Sequence, residues 1–417
     1  MPYPRSTPVW VTVCATAADR TVSGMDLFRR RLAALRSEDR LRGLRTLDGV
    51  RGLEVADGDA RLVNFSSNDY LNLSQDARVI AAAAAAAREF GTGSRASRLI
   101  SGSLAVHRDL EADLAAWLGM ERALVFPAGY MADLGLMAAL GREGSVAIDR
   151  LGHASLYDGL VLGGGRYRRF PHNQPGRITF ADPGAPLRAV VTESIFSMTG
   201  DLAPLAGLRA AAARRDALLV VDEAHALGVR GPTGAGLLEE TGIRAEAVTI
   251  TLSKALGGQG GAIAGSADLI DYLVNTSRSF IYTTGLSPMV AAAVRAAVAI
   301  IRIEGGALRA RLARNVIAVR AALAARGLAV PAGTGSHIIP IHAGTDAVAL
   351  AVAACLREYG ILAVAVRPPT VPRGRSLIRL SVTAGHTPAH IERLERALAA
   401  AVRRCPLPAV PAAGEGD

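Results

Sequence analysis

Lys254 is the only lysine in this 417-residue chain, in which the other 46 of 47 basic Lys and Arg residues are arginine. Arginine can replace lysine wherever only a positive charge is needed. A guanidinium group keeps its proton, however, whereas a desolvated ammonium group can lose its proton and become a nucleophile or a base. The retained lysine therefore indicates a reaction that needs an amine, rather than chance survival in an arginine-rich chain.

Other reactive side chains follow short apolar stretches that are typical of buried strands. The stretch SVAID precedes His153, AVV precedes the segment with Ser197, LLVV precedes Asp222 and His225, and AVTIT precedes Lys254. Because ligands of parallel sheets bind beyond the carboxyl ends of the strands, we expect these side chains to meet. An amine, a carboxylate and imidazoles indicate Schiff-base chemistry on pyridoxal phosphate (PLP), in which the lysine holds the aldehyde and the aspartate keeps the pyridine nitrogen protonated.

A phosphate site is predicted beside this cluster. The sequence FPAG leads into a predicted helix at Gly129 and Tyr130. The first turn of a helix offers free N–H groups and a dipole that favours an anion. This turn therefore suits the phosphate of the predicted cofactor.

The elements that must position these residues predict an α/β fold. Continuous apolar strands alternate with amphipathic helices through the middle of the chain, a pattern typical of a mostly parallel sheet sandwiched by helices. Leucines at helical spacing predict an N-terminal helix over residues 26–45, and the Gly- and Ser-rich segment 91–102 is predicted to be a loop. After Ala291 a long helix leads into a mixed pattern, which predicts a smaller C-terminal α/β domain.

The length exceeds the usual size of a single core, so more than one structural unit is expected. The start of the chain has a short apolar stretch before Ala15-Thr16-Ala17 that resembles a signal peptide, but a flexible extension or an upstream start codon, with folding from near Met25, is the favoured interpretation. The predicted divisions are a flexible extension at 1–24, an N-terminal helical segment at 25–66, a large cofactor-binding domain at 67–300, a small C-terminal domain at 301–405 and a disordered tail at 406–417.

Composition limits the partners. The net charge of +10 favours phosphorylated ligands, acidic protein surfaces or nucleic acid, but the arginines are scattered rather than clustered, so no nucleic-acid partner is predicted. Cys14, Cys355 and Cys405 are odd in number and lack CxxC spacing, which favours a reducing, cytoplasmic location. No apolar run approaches the ~20 residues needed to span a bilayer. Neither a membrane partner nor a metal site is predicted.

Three other readings of the motifs are disfavoured. The letters DEAH at 222–225 also name a helicase class, but no G-x-x-x-x-G-K-[ST] loop surrounds the lysine. The glycines at 257–261 lack the G-x-G-x-x-G spacing of a dinucleotide site. A PLP-binding regulator that binds DNA would need a helix-turn-helix domain, and none is predicted before the α/β core.

The chain resembles the α-oxoamine synthases, which are fold-type I PLP-dependent transferases that condense an amino acid with an acyl thioester and lose carbon dioxide. Within this family, RPPTVP and SNDYL are most similar to members that join L-alanine to a pimeloyl thioester. A member that uses glycine or another acyl donor is the alternative. The resemblance rests on motifs that occur in order from Met25 to Arg404: SSNDYL, GSRASRLISG, DRLGHASL, FSMTGDLAPL, VVDEAHALGVRGPTGAG, TLSKALGGQGGAIAGS, FIYTTGLSP and RPPTVPRGRSLIRLSVTAGHT.

The resemblance implies a role for each residue of the strand-end cluster. Lys254 would hold the cofactor aldehyde and later move the Cα proton. Asp222 would pair with the ring nitrogen, His225 and Ser197 would lie at the ring hydroxyl, and His153 would stack on the ring. Six further positions would surround the phosphate, the last two as alternatives contributed by a second subunit: Gly129, Tyr130, Thr251, Ser253, Thr283 and Thr284.

The resemblance also implies the substrate contacts and a homodimer with its active site at the subunit interface. Asn68 and Arg379 would bind the amino-acid carboxylate, with arginine supplying a bidentate fork. Ser97 occupies the position that limits side-chain size and is compatible with alanine. The acyl group would arrive on coenzyme A or on acyl-carrier protein.

Two positions depart from the family pattern. Asn72 stands where glycine is usual in DYLGL, and GLSP replaces the more common LPP after the threonine pair. Both departures affect the prediction of the acyl donor more than that of the cofactor.

Overall fold

The computed structural model describes residues 24–38, 40–179, 186–328 and 335–408. The predicted extension therefore lies almost wholly outside the described residues, as do residues 409–417 of the predicted tail. The proposed divisions between domains remain a prediction.

The strands of the described residues form three sheets. In chain order they are β1 (Gly49–Arg51), β2 (Glu54–Asp57), β3 (Ala60–Asn64), β4 (Arg122–Phe126), β5 (Ser145–Asp149), β6 (Arg166–Phe170), β7 (Leu187–Glu193), β8 (Leu218–Asp222), β9 (Ala247–Thr251), β10 (Gly261–Gly265), β11 (Ile338–Gly344), β12 (Ile361–Leu362), β13 (Val364–Val366) and β14 (Ser376–Ser381).

Helices cover the sheets. The α-helices of the described residues are α1 (Gly24–Ser37), α2 (Ala77–Phe90), α3 (Ala105–Leu118), α4 (Gly129–Glu143), α5 (Ala154–Gly163), α6 (Leu205–Ala213), α7 (Leu237–Thr241), α8 (Ala267–Thr276), α9 (Arg278–Ile281), α10 (Pro288–Ala324), α11 (Asp346–Glu358) and α12 (Pro388–Arg404). The 37-residue helix α10 packs on α2, α3 and α12. None of the described helices combines the length and apolar content needed to cross a membrane.

The large sheet is mostly parallel, as predicted. Across the described ranges its order is β4-β10-β9-β8-β7-β5-β6, and β10 runs antiparallel to both of its neighbours. The strands from β9 to β6 are all parallel to one another. A four-stranded sheet, β1-β2-β3-β12, and a three-stranded antiparallel sheet, β11-β14-β13, lie outside it.

The continuous apolar strands are explained by burial on both faces of the large sheet. Along β7, Val190 belongs to one apolar core and the next residue, Val191, to the other. On β8, Val221 and Val220 divide between the same two cores in the same way. Successive side chains of a strand point to opposite faces, so a strand covered on both sides needs an unbroken apolar run.

The structure differs from the sequence prediction at the first helix. Helix α1 ends at Ser37, whereas helical spacing predicted that it would extend to residue 45. No residue of α1 is buried, so no apolar contact stabilises a longer helix. Beyond its end, Arg42 donates to the backbone carbonyl of Pro368 at 2.8 Å, which directs the chain across the C-terminal part of the molecule instead.

Two strands of the large sheet were missed by the pattern. Edge strand β6 has the sequence RYRRF, and four of its five residues are exposed, so it lacks an apolar run. Strand β10 has the sequence GAIAG and is wholly buried, but glycine is rare in strand interiors. At Gly261 an added Cβ would lie 2.4 Å from the Cα of Gly129, so the close approach of these two backbones requires glycine.

Candidate active site

The carboxyl ends of neighbouring strands bring polar residues to one edge of the large sheet. Glu193 ends β7, Asp222 ends β8 and Thr251 ends β9. Glu193 pairs directly with Asp222 across the sheet, and Asp222 pairs with Thr249. The expected convergence at the strand ends is therefore present, while the roles assigned to these residues remain predictions.

Lys254 joins a chain of hydrogen bonds just beyond β9. Its Nζ lies 3.0 Å from Nε2 of His225, and Nδ1 of His225 lies 2.7 Å from the hydroxyl oxygen of Tyr70. The Tyr70 hydroxyl donates to Oδ1 of Asn68 at 3.1 Å, which leaves its oxygen free to accept from Nδ1–H. In this arrangement Nε2 of His225 accepts a hydrogen bond from Nζ of Lys254.

Burial sets the charge of this pair. Burial lowers the pKa of Lys254, against the opposing effect of the nearby Asp222 carboxylate. Burial, followed by the positive charge of Lys254, lowers the pKa of His225 well below its usual range. A neutral imidazole therefore lies beside an amine that loses its proton more readily than an ordinary lysine does.

Arg379 connects this chain to the predicted carboxylate site. Its Nη1 lies 3.2 Å from Oδ1 of Asn68, and its Nε donates to the carbonyl oxygen of Ser197 at 2.6 Å. Nη1 also donates to the hydroxyl of Ser381 at 2.7 Å. Because Nε and Nη1 are held by groups of the protein, the direction of the guanidinium plane is fixed before a substrate binds.

The predicted phosphate residues lie together at the start of α4. The hydroxyl oxygens of Thr251 and Ser253 are 2.7 Å apart. A Cβ at Gly129 would lie 3.2 Å from Oγ1 of Thr251, so the first turn of this 15-residue helix lies directly against the hydroxyls. Free helix N–H groups and two hydroxyls are the donors that a phosphate requires.

His153 and Tyr130 flank the same edge. The two rings meet edge to face with centroids 6.3 Å apart. His153 precedes α5 as its N-cap and is an exposed residue, while the Tyr130 hydroxyl donates to Asp158. The predicted contact of Tyr130 with phosphate is therefore still a prediction.

The remaining predicted residues are Ser97, Thr283 and Thr284. Ser97 forms an isolated antiparallel bridge with Thr284, and Thr284 is exposed. Among the hydrogen bonds of the described residues, none joins Ser97, Thr283 or Thr284 to Lys254. The role of Ser97 in limiting the size of the amino-acid side chain remains a prediction. The role of Thr283 or Thr284 in the phosphate site of a second subunit also remains a prediction.

Sequence reasoning missed two aromatic residues of the site. Tyr70 is fully buried and bonds both His225 and Asn68, although it lies within the SSNDYL motif. His337 lies against it with ring centroids 3.9 Å apart, and burial lowers the pKa of His337 to about 3. The available signal was a polar aromatic residue inside a motif, but its partner His225 lies 155 positions away along the chain.

Two buried carboxyl groups beside Asp222 were also missed. Burial, and then the charge of Asp222, raises the pKa of Glu193 well above its usual range. The same causes raise the pKa of Asp133 to about 8. Both shifts favour the protonated, neutral form of these groups beside Asp222.

These donors fit PLP. The site holds an amine of lowered pKa, a buried carboxylate, an exposed imidazole and a helix start lined by hydroxyls. Across the described ranges, no group of His, Cys, Asp and Glu side chains is arranged to hold a metal ion.

Comparison with known proteins places the chain among related sequences. The profile described as aminotransferase class I and II matches residues 60–398. An 8-amino-7-oxononanoate synthase of Klebsiella pneumoniae (strain 342) is 44% identical over 341 residues, which cover 81% of this chain and 89% of that protein.

Solved structures share the fold. One chain, described as SPT with PLP, is 30% identical with a TM-score of 0.84 and covers 91% of this chain and 97% of its own length. The 8-amino-7-oxononanoate synthase of Francisella tularensis is 26% identical with a TM-score of 0.71, covering 82% of this chain and 97% of its own.

Proposed function

We propose that this chain, which belongs to the class I and II aminotransferase family and within it to the α-oxoamine synthases, joins L-alanine to a pimeloyl thioester in biotin biosynthesis. The products would be 8-amino-7-oxononanoate, carbon dioxide and the free thiol of coenzyme A or acyl-carrier protein. The observation that carries the proposal is the unbroken hydrogen-bond path from Lys254 through His225, Tyr70 and Asn68 to Arg379. This path connects an amine that moves protons to a group that binds a carboxylate.

The residues present would hold PLP along this edge. Lys254 would bind its aldehyde, Asp222 its ring nitrogen, and His225 and Ser197 its ring hydroxyl. Gly129, Thr251 and Ser253 would bind its phosphate. When bound, PLP supplies an aldehyde that joins to an amine and a protonated ring that withdraws electrons from the bonds at Cα.

The protein's own groups then bind, orient and move a proton. Arg379 and Asn68 hold the alanine carboxylate, and the carbonyl of Ser197 keeps the guanidinium fork in place. Nζ of Lys254, released from the aldehyde when the amine of alanine takes its place, would take the Cα proton, because its lowered pKa makes the amine available as a base. Cα then attacks the thioester carbonyl and the thiolate leaves. Loss of the alanine carboxyl group as carbon dioxide and return of a proton to Cα complete the reaction.

The first prediction concerns the substrates. Purified protein loaded with PLP is expected to release thiol from pimeloyl-CoA with L-alanine, and not with glycine or L-serine. Thiol release is followed with a chromogenic disulfide reagent, with omission of the amino acid as the control. Release only with glycine or serine, or with acetyl-CoA in place of pimeloyl-CoA, would contradict the assignment and favour another α-oxoamine synthase.

The second prediction concerns Arg379. Hydrogen bonds to charged groups contribute about 1.5–3 kcal/mol, so Arg379→Lys is expected to raise the KM for alanine by about 10- to 100-fold. Lysine keeps the charge but cannot form the two-pronged contact. The KM for the thioester should stay within about twofold of the wild-type value, because Arg379 is assigned to the carboxylate alone.

The matched control is Arg373→Lys, an arginine in the turn before β14 that is 79% exposed and pairs with Glu38. Its kinetic constants should match those of the wild type. An equal rise in both KM values for Arg379→Lys would instead indicate a general disturbance of the site.

The predicted homodimer and cytoplasmic location also remain proposals. The dimer is supported by the surface around the Ser97–Thr284 bridge, where Leu99, Ile100 and Tyr282 are exposed. An apolar surface of this kind beside predicted phosphate-binding threonines suits a second copy of the chain.

The net charge of +10 is compatible with the phosphates of coenzyme A or with an acidic carrier protein.

A further inference from the structure

A short relay of three side chains connects His153 to the protein interior. The backbone N–H of Ser155 donates to Nδ1 of His153 at 3.3 Å, as the cap of helix α5. The hydroxyl oxygen of Ser155 lies 2.6 Å from the same Nδ1. It also lies 2.6 Å from Oδ2 of Asp133 on the neighbouring helix α4.

The geometry determines where the protons lie. Because Nδ1 of His153 accepts the backbone N–H of Ser155, it presents a lone pair and the ring proton is on Nε2. The Ser155 hydroxyl, 2.6 Å from that lone pair, must therefore donate its single proton to Nδ1. A proton on Oδ2 of Asp133 is compatible with both short contacts, because the Ser155 oxygen then accepts from Asp133, whereas an ionised Asp133 would take the Ser155 proton and leave Nδ1 without it.

The surroundings of Asp133 are consistent with a protonated carboxyl group. The residue is 5% exposed, and in the part of the chain that the structure describes its Oδ1 forms no hydrogen bond of standard geometry, although the Thr249 hydroxyl lies close enough to oppose the rise in its pKa. The charged or titratable groups that face it are Asp222, Glu193 and Lys254. Burying a carboxylate with a bare oxygen beside Asp222 would be costly, whereas a neutral acid avoids that cost.

We propose that Asp133 is a positioning residue for this reaction, which as a neutral acid donates to Ser155 and thereby holds His153 as the neutral imidazole protonated on Nε2. The proposal rests on the function proposed above and on the predicted stacking of His153 on a cofactor ring that Asp222 keeps protonated. A neutral imidazole can lie against a cationic ring, whereas an imidazolium would repel it and lower the pKa of its nitrogen.

The relay also makes His153 sensitive to the charge of Asp133. If Asp133 loses its proton, the Ser155 hydroxyl turns to donate to the carboxylate, and Nδ1 loses its stronger donor. Asp133→Asn should prevent this change, because the amide N–H₂ of asparagine donates to Ser155 at every pH. Ser155→Ala should separate His153 from Asp133 while leaving the carboxyl group in place.

The test uses the full chain without added cofactor, so that it does not depend on turnover. The infrared spectrum of Asp133→Asn is subtracted from that of the wild type, and the difference isolates the carbonyl stretch of a protonated Asp133. Nitrogen NMR of labelled histidine reports the protonation of both ring nitrogens. Loss of the His153 signals in His153→Gln assigns them. We expect the carboxylic-acid band at neutral pH, with its loss following an apparent pKa of about 8.

The two readouts must move together in the wild type and separate in the variants. The Nδ1 signal of His153 should be that of an unprotonated nitrogen at neutral pH and should shift over the same pH range as the infrared band. In Asp133→Asn that shift should be lost. In Ser155→Ala the band should still titrate while the histidine signal does not follow it.

Two results would overturn the proposal. One is a carboxylate at position 133 throughout the neutral range, seen as no acid band in the difference spectrum. The other is a protonated Nδ1 of His153 in the wild type. Failure of thiol release with both spectroscopic results intact would overturn the proposed function and leave the relay standing.

Folding stability provides a second measurement should one variant perturb the spectra. Because folding raises the pKa of Asp133 from 3.8 to about 8, the wild type binds an extra proton between these values and loses stability relative to Asp133→Asn as pH rises through this window. Below and above the window the difference should be constant. A difference between the two proteins that is flat from pH 4 to 8 contradicts the assignment.

Discussion

Replacement of Lys254 by arginine is expected to reduce turnover by about 10⁴-fold or more, although the positive charge is kept. Arginine cannot lose its proton, so it can neither bind the cofactor aldehyde nor take the Cα proton. No other side chain can take over the role of Lys254, because the chain contains no second lysine. The remaining contacts of the site, from Tyr70 to Arg379, do not involve Lys254 and should still bind alanine.

The sole lysine makes the covalent test unusually direct. Borohydride reduction of the PLP-loaded wild type should fix the cofactor on the peptide that contains Lys254, with only the chain's α-amino group as a competing primary amine. Mass spectrometry of the digest identifies the site. The Lys254→Arg variant should show no labelled internal peptide.

Arg373→Lys is the control for selectivity, because it adds a second lysine at an exposed position. At one equivalent of PLP, labelling should remain on Lys254, whose burial lowers the pKa of its amine and so favours the reactive neutral form. Equal labelling at both positions would show that Lys254 is not a specific site. Turnover by Lys254→Arg within tenfold of the wild type would exclude the assigned role altogether.

The large sheet was predictable because its strands are covered on both faces. Val190 and Val191 face different cores, as do Val220 and Val221, so the sequence must be apolar without interruption. Such runs, separated by helical patterns, allow few topologies other than a parallel sheet. Strand β6 was not predicted because it lies at the edge of the sheet, where most of its residues are exposed and arginines replace the apolar run.

The site was predictable only where a residue follows its own strand. Asp222, His225 and Lys254 follow apolar runs directly, so their convergence follows from the rule for parallel strands. Tyr70 and Asp133 gave no such signal, because their partners come from distant segments and from helix packing. The contact of Asp133 with Ser155 depends on how α4 lies on α5, and no local pattern encodes that arrangement.

Asp222→Asn is expected to lower kcat by about 10- to 1000-fold, because an opposite charge within hydrogen-bonding range raises the pKa of a cationic group by about 1–3 units. Without that charge the cofactor nitrogen would hold its proton less tightly, and the electron withdrawal that Cα deprotonation requires would weaken. Asparagine keeps the shape of the carboxylate, and its amide oxygen can still accept the backbone N–H of Ala224, which bonds Asp222 at 2.8 Å. The variant should therefore fold and bind PLP. Steady-state kinetics with saturating alanine and thioester measure the loss.

The neighbouring carboxyl group provides the matched control. Glu193 pairs with Asp222 across the sheet, yet burial and then the charge of Asp222 raise its pKa well above its usual range, which favours the neutral acid. Glu193→Gln removes no charge and should leave kcat within about threefold of wild type, a loss of less than 1 kcal/mol. In Asp222→Asn the repulsion that keeps Glu193 neutral is gone, so its pKa should fall and part of the negative charge should return as pH rises. The double variant Asp222→Asn/Glu193→Gln should lack this recovery. A single variant as active as the wild type, or a Glu193→Gln variant as impaired as Asp222→Asn, would mean that the charge at the ring nitrogen is not held by Asp222.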